Sequence, residues 1–335
     1  MSQVFIDLGG FTPGPSIEAL KAPPCAPRLG RPLEARQIQS FRDAGKKLGS
    51  FFARLHDPGT HRSVTEIRPL PPQDDRGDDP KAPNVFPSLP ELKSIVHDHA
   101  IKPLLSQLLK FPSLLDEAEA AAIFAAVEAD FLRACPPEEQ CFVLGDCWTG
   151  AVLLDLSPGI GSVGVCVIDW EFSNTAGRGI NGDVSQLLAH LECLRVAAHT
   201  REVQLVSGHL SALNAIMEGF VQKYKAFQTK EFDNRIMRSA YLSHGAEIVN
   251  CAFWKTWICE DPQCSSCIRE AGSRPQPEVQ CNLVSRLVDR GLSFLRAAIA
   301  KDPRAMAAKL RQDISTSELD GAQTAAGLYD FFERP

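Results

Sequence analysis

Between Leu33 and His56 the apolar residues Leu33, Phe41, Leu48, Phe51, Phe52 and Leu55 recur at helical spacing and predict an amphipathic helix. Gly45 and Gly49 fall inside it, four residues apart. Each weakens the helix intrinsically, and together they let another element approach closely. A short apolar run, Val4–Ile6, predicts a strand ahead of a Pro/Gly-rich crossing through Pro32. From Asp57 to Pro90 the chain is rich in Pro, Asp, Arg and Gly and reads as a flexible surface loop. Helices are expected over 89–109 and 114–134. At Gln140 the period changes: CFVLGD, AVLLDL and VGVCVIDW are three short β-rich runs separated by Gly-containing turns. Beyond Gly182 the pattern is helical again, over 183–198, 201–228, 232–259 and 278–300, with short pieces past 303. A small β patch set among helices predicts an α+β domain whose inter-strand turns carry the chemistry.

Composition narrows the function classes. The 335 residues are 44% hydrophobic and 23% charged, as in ordinary globular chains. A net charge of −6, with no block of Lys and Arg, argues against a nucleic-acid partner. Apolar stretches such as Ala118–Val127 are too short or too interrupted by Glu to span a bilayer, so no membrane partner is expected. The N-terminus lacks a secretory pattern, which makes the cytoplasm the expected location and the eleven cysteines reduced thiols.

The segment Cys141–Leu188 carries the candidate chemistry. One strand ends in Gly145-Asp146 and a later one runs straight into Asp169, so two aspartates stand at the exits of what read as neighbouring strands. Paired carboxylates facing one cleft suit phosphoryl transfer: one orients an acceptor hydroxyl and takes its proton, the other holds Mg²⁺. Gly159–Gly164 matches G-x-G-x-x-G, but a β-rich run follows it instead of a helix, so it reads as a hairpin turn.

Leu144-Gly145-Asp146-Cys147-Trp148-Thr149-Gly150-Ala151, then Ile168-Asp169-Trp170-Glu171-Phe172, then Gly182-Asp183, resemble the catalytic and metal-binding segments of the aminoglycoside phosphotransferase / choline kinase / methylthioribose kinase superfamily. The resemblance implies a protein-kinase-like C-lobe, mostly helical, with the β patch carrying the catalytic loop. It implies Asp146 as catalytic base, Asp169 as principal Mg²⁺ ligand with Glu171 adding an acidic contact, and Asp183 bracing the loop. Ala44–His56 is similar to the helix after the family's hinge, and Val4–Gly9 to the hinge strand, whose backbone at Phe5, Ile6 and Asp7 would meet the adenine of ATP. On this reading residues 1–32 are a hinge-like strand and linker. Residues 33–300 are the C-lobe, with a flexible insertion at 57–90, the catalytic and metal segment at 140–188 and a helical acceptor subdomain at 200–300. Residues 301–335 are a helical tail.

The departures are as specific as the matches. Leu144 stands where the family has His, which is expected to cost loop bracing, and Ala151 stands where it has a metal-binding Asn. The nucleotide-covering lobe, with its phosphate-binding loop and strand lysine, is expected to be largely absent. Two functions therefore stand: Mg-ATP-dependent phosphorylation of a hydroxyl on a small-molecule acceptor, and a non-catalytic pseudokinase-type binding protein. Separately, Cys259, Cys264, Cys267 and Cys281 form C-x4-C-x2-C-x13-C, a spacing compatible with zinc, although free thiols in a cysteine-rich chain are the plainer account. Trp148, Trp170, Phe253, Trp254 and Trp257 suit an acceptor pocket or, more simply, a core.

Overall fold

The computed structural model describes residues 33–66, 89–155, 164–200, 207–228, 232–253, 282–317 and 326–332. The expected hinge strand at Phe5, Ile6 and Asp7, the residues from 67 to 88, and Cys259, Cys264, Cys267 and Cys281 lie outside these. The helices are α1 (Ala35–Leu55), α2 (Pro58–Glu66), α3 (Leu89–Val96), α4 (Pro103–Leu108) and α5 (Glu117–Leu132). After the β segment come α6 (Ser185–Thr200), α7 (Ser207–Lys225), α8 (Asn234–Ala252), α9 (Asn282–Ile299) and α10 (Pro303–Ser317). The strands are β1 (Gln140–Val143), β2 (Val152–Asp155), β3 (Gly164–Val167) and β4 (Asn174–Arg178). The architecture is mostly helical with a small antiparallel β patch, as the α+β reading expected. Among the described residues no helix is long and apolar enough to cross a membrane.

The glycine pair in α1 has the packing role its spacing suggested. A Cβ at Gly45 would lie 2.1 Å from the Ile216 carbonyl oxygen, and one at Gly49 would lie 2.4 Å from that of Phe220. Here α1 and α7 touch backbone to backbone, a separation only glycine permits. Phe41, Ala44, Leu48, Phe52 and Leu55 continue the buried stripe of α1. They join Ile216, Met217 and Phe220 of α7, Leu187, Leu188 and Leu191 of α6, and the inner faces of α8 and α9 in one core. Leu328, Tyr329, Phe331 and Phe332 belong to that core as well, so the end of the tail packs back onto the body.

Local chemistry sets the helix starts. The carboxylates of Asp116 and Asp233 accept the backbone N–H groups of Glu119 and Ile236, each at 2.8 Å, and so cap α5 and α8. Asp57 does the same ahead of Pro58: its Oδ1 accepts the Gly59 N–H at 2.7 Å. The loop expected over 57–90 is therefore corrected at its start, since Pro58–Glu66 is α2, while α3 begins at Leu89 as expected. Pro is well placed in a first turn, where its missing N–H costs nothing. The helix expected over 89–109 is broken instead, by a wide π-type turn at His97–Ile101 that leads into Pro103.

The β patch is two separate two-stranded ladders, β1 with β4 and β2 with β3, both antiparallel. The expectation that Asp146 and Asp169 leave neighbouring strands is thus corrected, because β1 and β3 are not paired with each other. The fourth strand, Asn174–Arg178, is polar and small and was not foreseen; pairing with β1 makes it a strand. Arg178 fastens its end to α5, donating to Asp130 Oδ2 at 2.8 Å and to the Arg133 carbonyl at 2.8 Å.

Candidate functional site

The turn after β1 and the turn after β3 meet despite belonging to different ladders. Gly145 has φ 86°, in the left-handed region that favours glycine, and a Cβ there would lie 2.2 Å from the Phe172 carbonyl oxygen. The Asp146 turn therefore rests directly on the turn Trp170–Phe172 that follows Asp169. Asp169 is the one non-glycine residue with positive φ among the described residues, at 71°. Asp tolerates this conformation better than bulky residues but still pays on the order of 1 kcal/mol. Strain of this kind concentrates where a side chain must be aimed. Trp148 Nε1–H donates to Asp169 Oδ2 at 3.1 Å and fixes that carboxylate.

Asp183 braces the loop as the resemblance implied. Its Oδ2 accepts the Leu144 N–H at 2.7 Å and its Oδ1 accepts the Gly145 N–H at 2.9 Å. His56, at the end of α1, adds a third contact: its Nε2 lies 3.3 Å from Asp183 Oδ2 and its Nδ1 2.9 Å from the Tyr224 hydroxyl. Burial holds the Tyr224 hydroxyl well above its usual pKa, so it keeps its proton. A consistent arrangement has Tyr224 donating to Nδ1 and Nε2–H donating to the carboxylate. Leu144 contributes its N–H to this bracing while its side chain lies in the core, so the brace needs no imidazole at position 144.

Asp146 is half-buried, and desolvation, followed by the negative charge of Glu247, pushes its pKa up to about 6. His190 opposes this shift, and Asp169 adds to it, as a second carboxylate near enough to be felt. Gln186 holds the group in place: its Nε2 donates to Asp146 Oδ1 at 3.3 Å while its Oε1 accepts the Cys147 N–H at 2.8 Å. Replacing Gln186 with Ala is expected to lower the turnover of any reaction that uses Asp146 about five- to tenfold, with KM little changed. That is the worth of about one hydrogen bond. Steady-state kinetics would check it.

The remaining sequence candidates divide. Glu171 is exposed beside Asp169, on the Trp170–Phe172 turn. Ala151 is fully buried and offers no oxygen to a metal. Cys147 is buried, and desolvation raises its thiol well above the usual value, which removes it as a nucleophile. Trp170 is a packing residue, stacked on Phe142 with its indole N–H on the Val167 carbonyl at 3.0 Å. His244 is buried, with Nδ1 2.9 Å from the Ser185 carbonyl oxygen. Sequence reasoning missed Gln186, His190 and Glu247. The first two carried a signal, since Asp183, Gln186 and His190 follow at spacings of three and four and so share one helix face. Glu247 comes from a distant helix and carried none.

In comparisons with known proteins, no family model and no curated protein matches the chain.

Proposed function

We propose that the chain is a kinase-like phosphotransferase that moves the terminal phosphoryl group of Mg-ATP to a hydroxyl of a small molecule. The observation that carries this reading is the Asp146–Asp169 pair. Asp146 has a pKa near 6 and a glutamine to orient it, and Asp169, whose charge it feels, is held on a strained, indole-anchored turn. A base poised just below neutral pH accepts a hydroxyl proton without being permanently protonated.

The donor chemistry fits magnesium. Asp169 presents hard carboxylate oxygen with Oδ2 already fixed by Trp148, and exposed Glu171 follows two residues on. Mg-ATP would supply the phosphoryl group and neutralise its charge. Asp146 receives the acceptor's proton, Gln186 aims it, and Asp183 with His56 keeps the loop backbone in place. Phe5, Ile6 and Asp7 remain the proposed adenine contacts.

Ala151 favours the second reading, a non-catalytic binding protein, because the position that would complete a second metal site is a buried methyl group. Incubation with Mg²⁺, terminally labelled ATP and a panel of hydroxyl metabolites separates the two. For an enzyme, label appears in an acceptor, and kcat/KM climbs about tenfold per pH unit below pH 6 and levels off above it, as Asp146 ionises. Saturable nucleotide binding with no labelled product would select the binding protein. Neither binding nor transfer would reject both.

A further inference from the structure

Deeper than the aspartate pair, α6 and α8 face each other with a set of donors that the phosphotransferase reading uses only through their charge on Asp146. His190 lies on α6, while Glu247 and Cys251 lie one turn apart on α8 and so project from one face. His190 and Cys251 are buried and Glu247 is only partly covered. Glu247 Oε1 is 2.9 Å from His190 Nε2, and Cys251 Sγ is 3.8 Å from His190 Nε2 and 3.7 Å from Glu247 Oε1. All three donor atoms fall within 4.8 Å of one another.

A tetrahedral zinc ion with ordinary bond lengths holds its ligand atoms about 3.4 Å apart for nitrogen and oxygen, and about 3.6 Å apart for sulfur and either. The three separations here match that triangle to within roughly half an ångström, so an ion would enter by small side-chain shifts and no helix movement. Cys193, three residues beyond His190 on α6, is fully buried but is not among the donors that fall within 4.8 Å of one another. The set is therefore His190 from one helix and Glu-x3-Cys from the other, one donor and two.

The geometry points to a buried binding site for a zinc-class transition-metal ion formed by His190, Glu247 and Cys251. Mixed nitrogen, sulfur and oxygen donors suit zinc and disfavour magnesium or calcium, which take oxygen alone. Binding would release the Cys251 thiol proton and the proton shared by His190 and Glu247 to solvent, leaving neutral imidazole, carboxylate and one thiolate around the ion. The ion would clamp α6 to α8 just behind Gln186 and Asp146, because the charges of His190 and Glu247 already act on Asp146. This site is independent of whether the chain transfers phosphate, and it is separate from the Cys259, Cys264, Cys267 and Cys281 set.

The test uses the full chain, purified without chelators or a histidine tag, with metal counted by mass spectrometry. Wild type is expected to carry zinc near one-to-one, and cobalt substitution to give the intense thiolate-to-cobalt absorption of a sulfur-ligated tetrahedral site. A Cys264→Ser/Cys267→Ser variant is expected to keep both signals. Glu247→Gln preserves size and a hydrogen bond to His190. It should still weaken zinc binding by more than the roughly 10–100-fold that loss of an outer partner costs. Cys251→Ser should abolish the absorption, with circular dichroism confirming that both variants fold. If wild type holds no stoichiometric zinc and shows no thiolate band, His190 and Glu247 are an ordinary buried ion pair and the proposal is overturned. Zinc that survives Glu247→Gln and Cys251→Ser but is lost in Cys264→Ser/Cys267→Ser overturns it equally.

Discussion

Replacing Asp146 with Asn is expected to make the protein more stable at neutral pH while removing any phosphoryl transfer. The folded-state pKa of Asp146 is about 6, above the value near 3.9 of an unfolded chain. The native state thus binds the proton more tightly, and the stability this confers is present below about pH 4 and lost as pH rises through 6. At pH 7.5 the ionised carboxylate costs up to about 3 kcal/mol, the upper figure for a shift of some two units. Asn keeps an oxygen for Gln186 Nε2 and carries no charge, so it escapes that cost. Urea denaturation at pH 7.5 should show the variant more stable by about 1–3 kcal/mol, with the gain shrinking to nothing near pH 4. Loss of the base should cut kcat about 10²–10⁴-fold. A variant that is less stable at pH 7.5, or one that still transfers phosphate, would remove Asp146 from its assigned place.

Gly45→Ala is expected to destabilise the chain by about 2 kcal/mol even though Ala is the better helix former by about 1 kcal/mol. The new methyl group would meet the Ile216 carbonyl oxygen at 2.1 Å. Backbone cannot rotate away as a side chain can, so α1 must move off α7 and surrender part of the buried stripe. Because His56 sits at the end of α1 and holds Asp183, the displacement should also loosen the Leu144–Gly145 turn. Denaturant titration gives the stability change, and hydrogen exchange at the Leu144 and Gly145 amides gives the second effect. A neutral or stabilising result would mean that propensity, not the close contact, governs this seam.

The parts of the fold that the sequence revealed are those encoded locally. The stripe of α1, the glycine pair and the apolar runs of β1 to β3 all announce themselves within a few residues of chain. Asp146, Asp169 and Asp183 were visible because each adjoins a strand end or helix start, where polar residues are conspicuous. What stayed hidden depends on partners elsewhere. Asn174–Arg178 has no apolar alternation and is a strand only through β1, so strand pairing, and with it the two-ladder arrangement, was misread. α2 hid inside a Pro- and Asp-rich stretch because Asp57-Pro58 serves equally as a turn signal and as a helix start. The chemistry of Asp146 owes much to Glu247, a hundred and one positions along the chain, and no window of sequence connects them.

The close seam between α1 and α7 has a consequence for biosynthesis. Arg42 and Glu218, which form an ion pair across it, are 176 positions apart. At roughly 5–20 residues per second, a ribosome needs on the order of 10–35 s to supply the second half of that contact after the first has emerged. For that interval Phe41, Leu48 and Phe52 have no native cover, and the notched face of the nascent helix is open to other chains.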